Sequence, residues 1–325
     1  MSVPAPTVSP SVPSPRLSVI ICCYTTDRME ALRAAIDSTT AQIGAADEVI
    51  VVVDHNTGLL ERLRTDDTTR RGVHVVPNTE TRGLSGARNT GLAAATGEVV
   101  VFLDDDAALE PEALAGIRTR FARPELVAVG GAVDAQWDGD RPPSWFPSEF
   151  GWVVGCDYRG LPADGATIRN PIGAAMAVRR DALTVIGGFS HQLGRRGTFP
   201  AGCEETLMGI ALREHFPTSD IVRDTAFRVR HRVTADRATI RYFLHRCFQE
   251  GRSKAVLAAL ASTSTALSSE RSYAARTLTS GLWLHRRRPL RALALVVGFA
   301  ATTGGFVVGT VATRLRDLPR EDSRR

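Results

Sequence analysis

The chain of 325 residues has almost no lysine: Lys254 is the only one among 40 basic residues, so guanidinium carries nearly all of the positive charge. Arginine suits phosphate and other anions because its fork is planar and stays charged. Charge of one sign is not in large excess. Forty basic against 35 acidic groups leave +5, too mild over this length to indicate a nucleic-acid partner. The five cysteines (Cys22, Cys23, Cys156, Cys203, Cys247) form no C-x-x-C pair, which argues against a zinc site or a disulfide framework and fits reduced thiols on the cytoplasmic side. No G-x-G-x-x-G follows an apolar run, so a dinucleotide fingerprint is excluded. Gly86 and Gly91 have phosphate-loop spacing, but Leu92 stands where such a loop needs lysine. Uninterrupted hydrophobic stretches of membrane-spanning length are missing but for one, which excludes a polytopic membrane protein.

What is present is the composition of a folded protein, 43% apolar and 23% charged. Residues 1–16, rich in Pro, Ser and Val, lack the apolar core of a signal peptide and are expected to form a disordered tail. Apolar runs rich in β-branched residues follow at 17–24, 48–54, 73–77 and 98–106, alternating with helix-like segments. Strands apolar on both faces between such helices predict an α/β fold, a mostly parallel sheet flanked by helices. Three of the runs end in polar or acidic residues: Tyr24-Thr25-Thr26-Asp27, Asp54-His55-Asn56 and Asp104-Asp105-Asp106. Ligands of open α/β sheets bind at the carboxyl ends of strands, so these ends point to one site.

Asp104-Asp105-Asp106 is the strongest local signal. Alternation would turn Asp104 and Asp106 to one side, and converging carboxylates call for a cation such as Mg²⁺ or Mn²⁺ completed by phosphate oxygens. The alternative is that Asp106 caps the following helix. Arg88, in a small-residue loop entering a helix, can reach a diphosphate, and Asp54 can accept from a base or a ribose hydroxyl. Glu204 and Glu205 open a helix at 204–216, where acids are favoured by the dipole or one of them serves as general base. His231 alternates with Val229 and Val233, and Arg228, Arg230 and Arg232 around it favour a neutral imidazole free to ligate. Trp145, Phe146, Phe150 and Trp152 form either a membrane-facing cluster or a packed lid. Residues 238–283 read as helical and arginine-bearing. Residues 292–312 carry no charge and are bracketed by arginines, which predicts a transmembrane helix at about 291–313 with the bulk of the protein in the cytoplasm. Gly305-x-x-x-Gly309 within it allows close helix packing, a homodimer being one use of it.

The order Gly-Leu-Ser-Gly-Ala-Arg-Asn-Thr-Gly (83–91), Phe-Leu-Asp-Asp-Asp (102–106), Gly-Gly-Phe (187–189), Glu-Glu-Thr (204–206) and Arg-His-Arg-Val (230–233) resembles the family 2 glycosyltransferases of GT-A fold across residues 17 to about 250. The resemblance implies a catalytic domain over 17–240, a membrane-proximal helical segment over 241–290 and a polar tail over 314–325. It places Tyr24, Thr25, Asp54, Arg88, Asp104 and Asp105 with the donor, and Asp106, Asp104 and His231 with a Mg²⁺ or Mn²⁺ ion. Glu205, or its neighbour Glu204, becomes the catalytic base. Segments around 145–155, 169–180, 193–197 and 202–206 are similar to the archaeal-type glucosyl-dolichyl-phosphate glucuronosyltransferases. That implies a UDP-sugar donor, UDP-glucuronate in the nearest pattern, an acceptor that is polyprenyl-phosphate-linked or a cell-envelope glycan, and a place at the cell membrane. Arg169, Arg179, Arg195 or Arg196 would meet the uronic carboxylate. A nucleotidyltransferase and a degenerate, membrane-anchored sugar-nucleotide-binding protein are the rival expectations.

Overall fold

The computed structural model describes residues 14–66, 72–194, 202–260, 277 and 280–317. The arginines Arg195 and Arg196, the first 13 residues, much of the 261–279 stretch and the tail from 318 lie outside them.

The valine- and isoleucine-rich runs form strands where expected: β1 (Leu17–Cys23), β2 (Glu48–Val53), β3 (Val73–Pro77) and β4 (Val99–Asp104). All four are parallel in the order β3-β2-β1-β4. Their continuous apolarity has a plain cause, since both faces are covered. Val19, Ile21, Val49, Val51 and Val101 pack on one side against Leu32, Ile36, Leu59, Leu63 and Ile117. Ile20, Ile50, Val52, Val100 and Phe102 pack on the other against Ala87, Leu183, Met208 and Leu212. The first side is clad by α1 (Met29–Thr40), α2 (Thr57–Thr65) and α4 (Ala113–Phe121), the second by α3 (Leu84–Ala94), α5 (Arg180–Val185) and α6 (Glu204–His215).

Beyond β4 the sheet becomes mixed. β7 (Ala175–Arg179) is antiparallel to β4, and β6 (Leu126–Trp137) is antiparallel to β7. The long β8 (Asp220–Val233) runs parallel to β6, and the short β5 (Ala107–Leu109) returns antiparallel on its edge. That last pairing sets Ala107 opposite His231 and so brings the end of the aspartate run to the histidine.

The chain ends in two long helices, α7 (Ile240–Leu260) and α8 (Pro289–Asp317). They pack along their length and run in the same direction, Gly298 meeting Phe243, Gly305 meeting Phe248 and Gly309 meeting Ala255. A Cβ on Gly251 or Gly305 would overlap a backbone carbonyl of the other helix, which is why small residues line this seam. The Gly305/Gly309 face is therefore taken up by α7 within the chain, and a dimer through it would require the pair to separate. The aromatic cluster is also internal. Phe150 lies 5.2 Å from both Phe243 and Phe299, and Trp145 lies 5.5 Å from Phe243, so the rings join the Ser148–Val154 segment to α7 and α8. Of α8, residues Pro289–Leu315 are long and apolar enough to cross a membrane, with Leu293, Val297, Val308 and Val311 exposed on its outer face.

Candidate active site

The carboxyl ends of β1, β2 and β4 open on one cavity of about 650 Å³, closed on its far side by α6, α7 and α8. Tyr24, Asp54, Arg88, Asp104, Asp105, Asp106, Glu204 and Glu205 all line it. Thr25 does not: its hydroxyl accepts from Asp27 N–H at 3.2 Å and caps the turn after β1. Asp54 is already oriented by the loop that precedes α3. Asn78 Nδ2 donates to its Oδ1 at 2.7 Å and Gly83 N–H to its Oδ2 at 3.0 Å. Cys22 reaches the cavity too, and burial pushes its thiol up to about 12, so it stays protonated and is no nucleophile.

Arg88 is the hub. It is almost wholly buried, with Nη1 3.4 Å from Glu204 Oε1 and 3.5 Å from Glu205 Oε1, and Nη2 3.7 Å from Asp104 Oδ1. Its plane lies over Phe102 and Phe189. A buried guanidinium pays a desolvation penalty that three carboxylates offset. It follows that the arginine orders the acidic groups and is not a free hand for phosphate. Asn89 beside it makes a two-way pair with Phe189, which fastens the Gly-Gly-Phe turn to α3. Of the two glutamates that begin α6, Glu204 is buried while Glu205 keeps 19% of its side chain exposed to the cavity. Exposure favours Glu205 over Glu204 for accepting a proton from a bound molecule.

β4 ends at Asp104, and the two aspartates after it lie in a turn. Asp106 does not cap a helix. Its Oδ1 is 3.0 Å from His231 Nε2, and its Oδ2 is 3.0 Å from both Arg28 and Arg237. Burial would raise its pKa, but His231 and the two arginines hold it far below the usual carboxylate range. Asp105 is paired with Arg28 at 2.9 Å on one oxygen, while Oδ2 is buried without a hydrogen-bond partner among the described residues. Burial first and then Asp106 raise its pKa. His231 departs from expectation. Burial alone would lower its pKa, but the Asp106 charge and hydrogen bond raise it to about 10, so the imidazole is protonated in this arrangement. The neighbouring arginines do not crowd it, because alternation along β8 turns Arg230 and Arg232 to solvent while His231 faces inward.

Asp104, Asp106 and His231 present ligand atoms within 4.8 Å of one another. Two carboxylates and an imidazole are a donor set that fits Mn²⁺ or Mg²⁺, with the remaining positions left to phosphate oxygens and water. A cation there would take the place of the His231 proton. Arg28 and Arg237, which clamp Asp106, were not singled out as site residues from the sequence. Arg28 directly follows the Tyr24–Asp27 end of the first run, and nothing in the sequence marked Arg237. Of the four arginines considered for a uronic carboxylate, Arg169 lines the cavity, while Arg179 is spent on the carbonyls of Leu126, Phe121 and Arg123 at the other end of the sheet.

Residues 18–187 match the family described as Glycosyl transferase family 2. The chain is 33% identical over 243 residues, 74% of its length and 77% of the other's, to the glucosyl-dolichyl phosphate glucuronosyltransferase of Haloferax volcanii. It is 27% identical over 122 residues to the pre-mycofactocin glycosyltransferase of Mycobacterium tuberculosis, covering 37% of this chain and 26% of that one. Among solved structures, the mannosyltransferase PcManGT from Pyrobaculum calidifontis, in complex with GDP-Man and Mn²⁺, superposes with a TM-score of 0.61 at 19% identity, over 95% of this chain and 90% of that one. GalNAc-T7 with UDP, GalNAc and Mn²⁺ superposes with a TM-score of 0.52 at 14% identity, over 80% and 53%. The shared architecture is the GT-A fold.

Proposed function

The chain belongs to glycosyltransferase family 2, and from that premise we propose that it is an inverting, divalent-metal-dependent transferase that moves a glucuronosyl group from UDP-glucuronate to a hydroxyl of a sugar carried on polyprenyl phosphate. The observation that supports the reading is Arg88, which reaches Asp104 with one guanidinium nitrogen and Glu205 with the other where both carboxylates border one cavity. The donor and acceptor classes draw support from the Haloferax volcanii relative, a glucosyl-dolichyl phosphate glucuronosyltransferase at 33% identity.

Tyr24 and Asp54 line the nucleoside end, and Asp104 and Asp105 border the ribose and diphosphate. Asp104, Asp106 and His231 would hold the metal, which supplies positive charge to the departing diphosphate oxygens. Glu205 takes the proton of the acceptor hydroxyl. The freed oxygen attacks C1 from the face opposite UDP, and the C1–O bond to UDP breaks with its electron pair leaving on the diphosphate. One displacement inverts the anomeric centre. Arg169, on the cavity wall, would meet the uronic carboxylate. With α8 in the bilayer, the catalytic part would work from the cytoplasmic side, where nucleotide sugars are made.

The test is UDP release by the detergent-solubilised full chain with a panel of UDP-sugars, with and without Mn²⁺ or Mg²⁺ and a polyprenyl-phosphate-glucose acceptor. Release from UDP-glucuronate that needs both metal and lipid acceptor is expected. Release from a different sugar alone would discard the uronic donor, and turnover unaffected by chelation would discard the metal.

A further inference from the structure

The cavity continues past the carboxylates. Its outer wall is made by Trp152, by Arg246 and Lys254 of α7, and by Phe299, Thr302 and Phe306 of α8. Arg246 and Lys254 lie just over two helical turns apart, on one face of α7. Each sits 6.0 Å from the centre of the Trp152 ring. Glu250 stands between them, 2.8 Å from Arg246 Nη1 and 3.7 Å from Lys254 Nζ. Two cations against one carboxylate leave a net charge of one on this stretch of wall, beside the Trp152 ring. Arg246 is 8% exposed, yet its Nε has no hydrogen-bond partner among the described residues. A buried guanidinium N–H left unpaired on a cavity wall is costly unless a ligand atom completes it.

The apolar part of the same wall belongs to α8, the helix with the length and composition to cross a membrane and with valines and leucines exposed on its outer face. Charge and grease therefore meet in one continuous space: a cationic end beside Trp152, the acidic groups further in, and a phenylalanine-lined flank on the apolar helix.

We propose that this α7–α8 wall is the acceptor's headgroup site, in which Arg246 and Lys254 hold the phosphodiester of a polyprenyl-phospho-sugar. The sugar then points inward to Glu205, and the prenyl chain leaves along Phe299 and Phe306. The assignment rests on the functional reading above and adds a selectivity to it. A net charge of one matches a phosphodiester, which carries one negative charge, and not a bare polyprenyl phosphate, which approaches two. Glu250 is then a selectivity element, repelling the second charge of a monoester.

The experiment is equilibrium binding to the full chain in detergent, without donor or metal, using farnesyl phosphoglucose and farnesyl phosphate as probes and UDP with Mn²⁺ as a separate control. The wild type should prefer the diester. Lys254→Gln should weaken the diester roughly tenfold, the order of one charge-assisted contact, and Lys254→Arg should restore it. UDP affinity should stay put in both. Glu250→Gln should raise the affinity for farnesyl phosphate. Lys254 is partly exposed, so its variants fold even if substitutions at Arg246 do not. Unchanged diester binding in Lys254→Gln, or a loss of UDP affinity in its place, would overturn the assignment while transfer to the lipid acceptor by wild type still stands. A wild type that neither binds the prenyl probes nor glycosylates them would overturn the functional reading, and this site with it.

Discussion

Gly173 offers the sharpest test of the arrangement around Arg88. It lies just before β7, and its carbonyl accepts from Arg88 Nη2 at 3.4 Å. A Cβ there would overlap Glu205 Oε1 outright and stand 2.6 Å from Arg88 Nη2. Ordinary contact begins near 3.4 Å, so in Gly173→Ala the guanidinium would have to yield about 0.8 Å and the carboxylate more. Arg88 has little room, being buried against both Phe102 and Phe189 and tied to Glu204. Glu205 is the softer partner because it borders the cavity. The displacement therefore falls on the candidate base. Misplacing a catalytic group by about 1 Å costs on the order of 100-fold, about 2.7 kcal/mol of barrier. Overpacking at the same point costs a further 1–3 kcal/mol of stability, roughly. Steady-state UDP release with both substrates saturating reads the first quantity, and urea unfolding reads the second. The expected result is a kcat about 100-fold lower with donor KM changed little. A folded variant with kcat within about threefold of wild type would refute the placement of Glu205 against Gly173 as the working geometry.

Four further outcomes follow from the structure. Glu205→Gln should keep UDP binding by calorimetry and lose transfer by about 100-fold or more; if Glu204→Gln behaves that way instead, the base is the first glutamate. Asp106→Asn should abolish transfer and also lower stability by about 3 kcal/mol or more, because Arg28, Arg237 and His231 lose the charge they share. Asp104→Asn should abolish transfer at little cost in melting temperature, and near-wild-type turnover in either would sink the metal assignment. Asp47 lies at the opposite end of the sheet, accepting from Leu17 N–H at 2.9 Å, Gly44 N–H at 2.6 Å and Arg118 Nη2 at 2.6 Å. Burial opposes its ionisation, but Arg118 and the two backbone donors lower its pKa. A depressed carboxylate contributes stability above its unfolded pKa of about 3.9 and loses it as pH falls through the folded value. Asp47→Asn should therefore flatten the acid limb of the stability curve in urea titrations, at a cost of about 1–3 kcal/mol at neutral pH. Its turnover per folded molecule should not change.

The parts of this protein that depend on local pattern were legible in the sequence. Runs such as Glu48–Val53, buried on both faces, can only be inner strands, and their acidic ends marked the cavity before any coordinate did. The start of α6 at Glu204 was legible from charge at a helix N-terminus. What escaped depends on contacts between distant parts of the chain. Arg28 and Arg237 reach the aspartates across 77 and 131 residues. The surroundings of His231 were misjudged because residues adjacent in a strand point to opposite sides. Arg230 and Arg232 are its neighbours in sequence, while Asp106 is its neighbour in space. Thr25 was placed with the donor by the family resemblance, but it does not line the cavity and its hydroxyl caps the turn after β1. Gly305 and Gly309 correctly signalled a close helix contact, but small residues carry no information about which helix fills the space they leave.

The central choice in this site is a buried arginine where a lysine would not serve. Arg88 addresses Glu204, Glu205 and Asp104 at once from two nitrogens of one plane. An ammonium offers a single point charge and cannot span the distance between α6 and the end of β4. Without that span, the carboxylates from the two elements would have no shared counter-charge. Arg88 thus holds the candidate base at a fixed separation from the aspartates that could hold a metal. On the other side, Arg28 and Arg237 keep Asp106 ionised beneath His231. Guanidinium, which the composition supplies almost to the exclusion of lysine, is the group that lets five of the six acidic side chains lining this cavity share it.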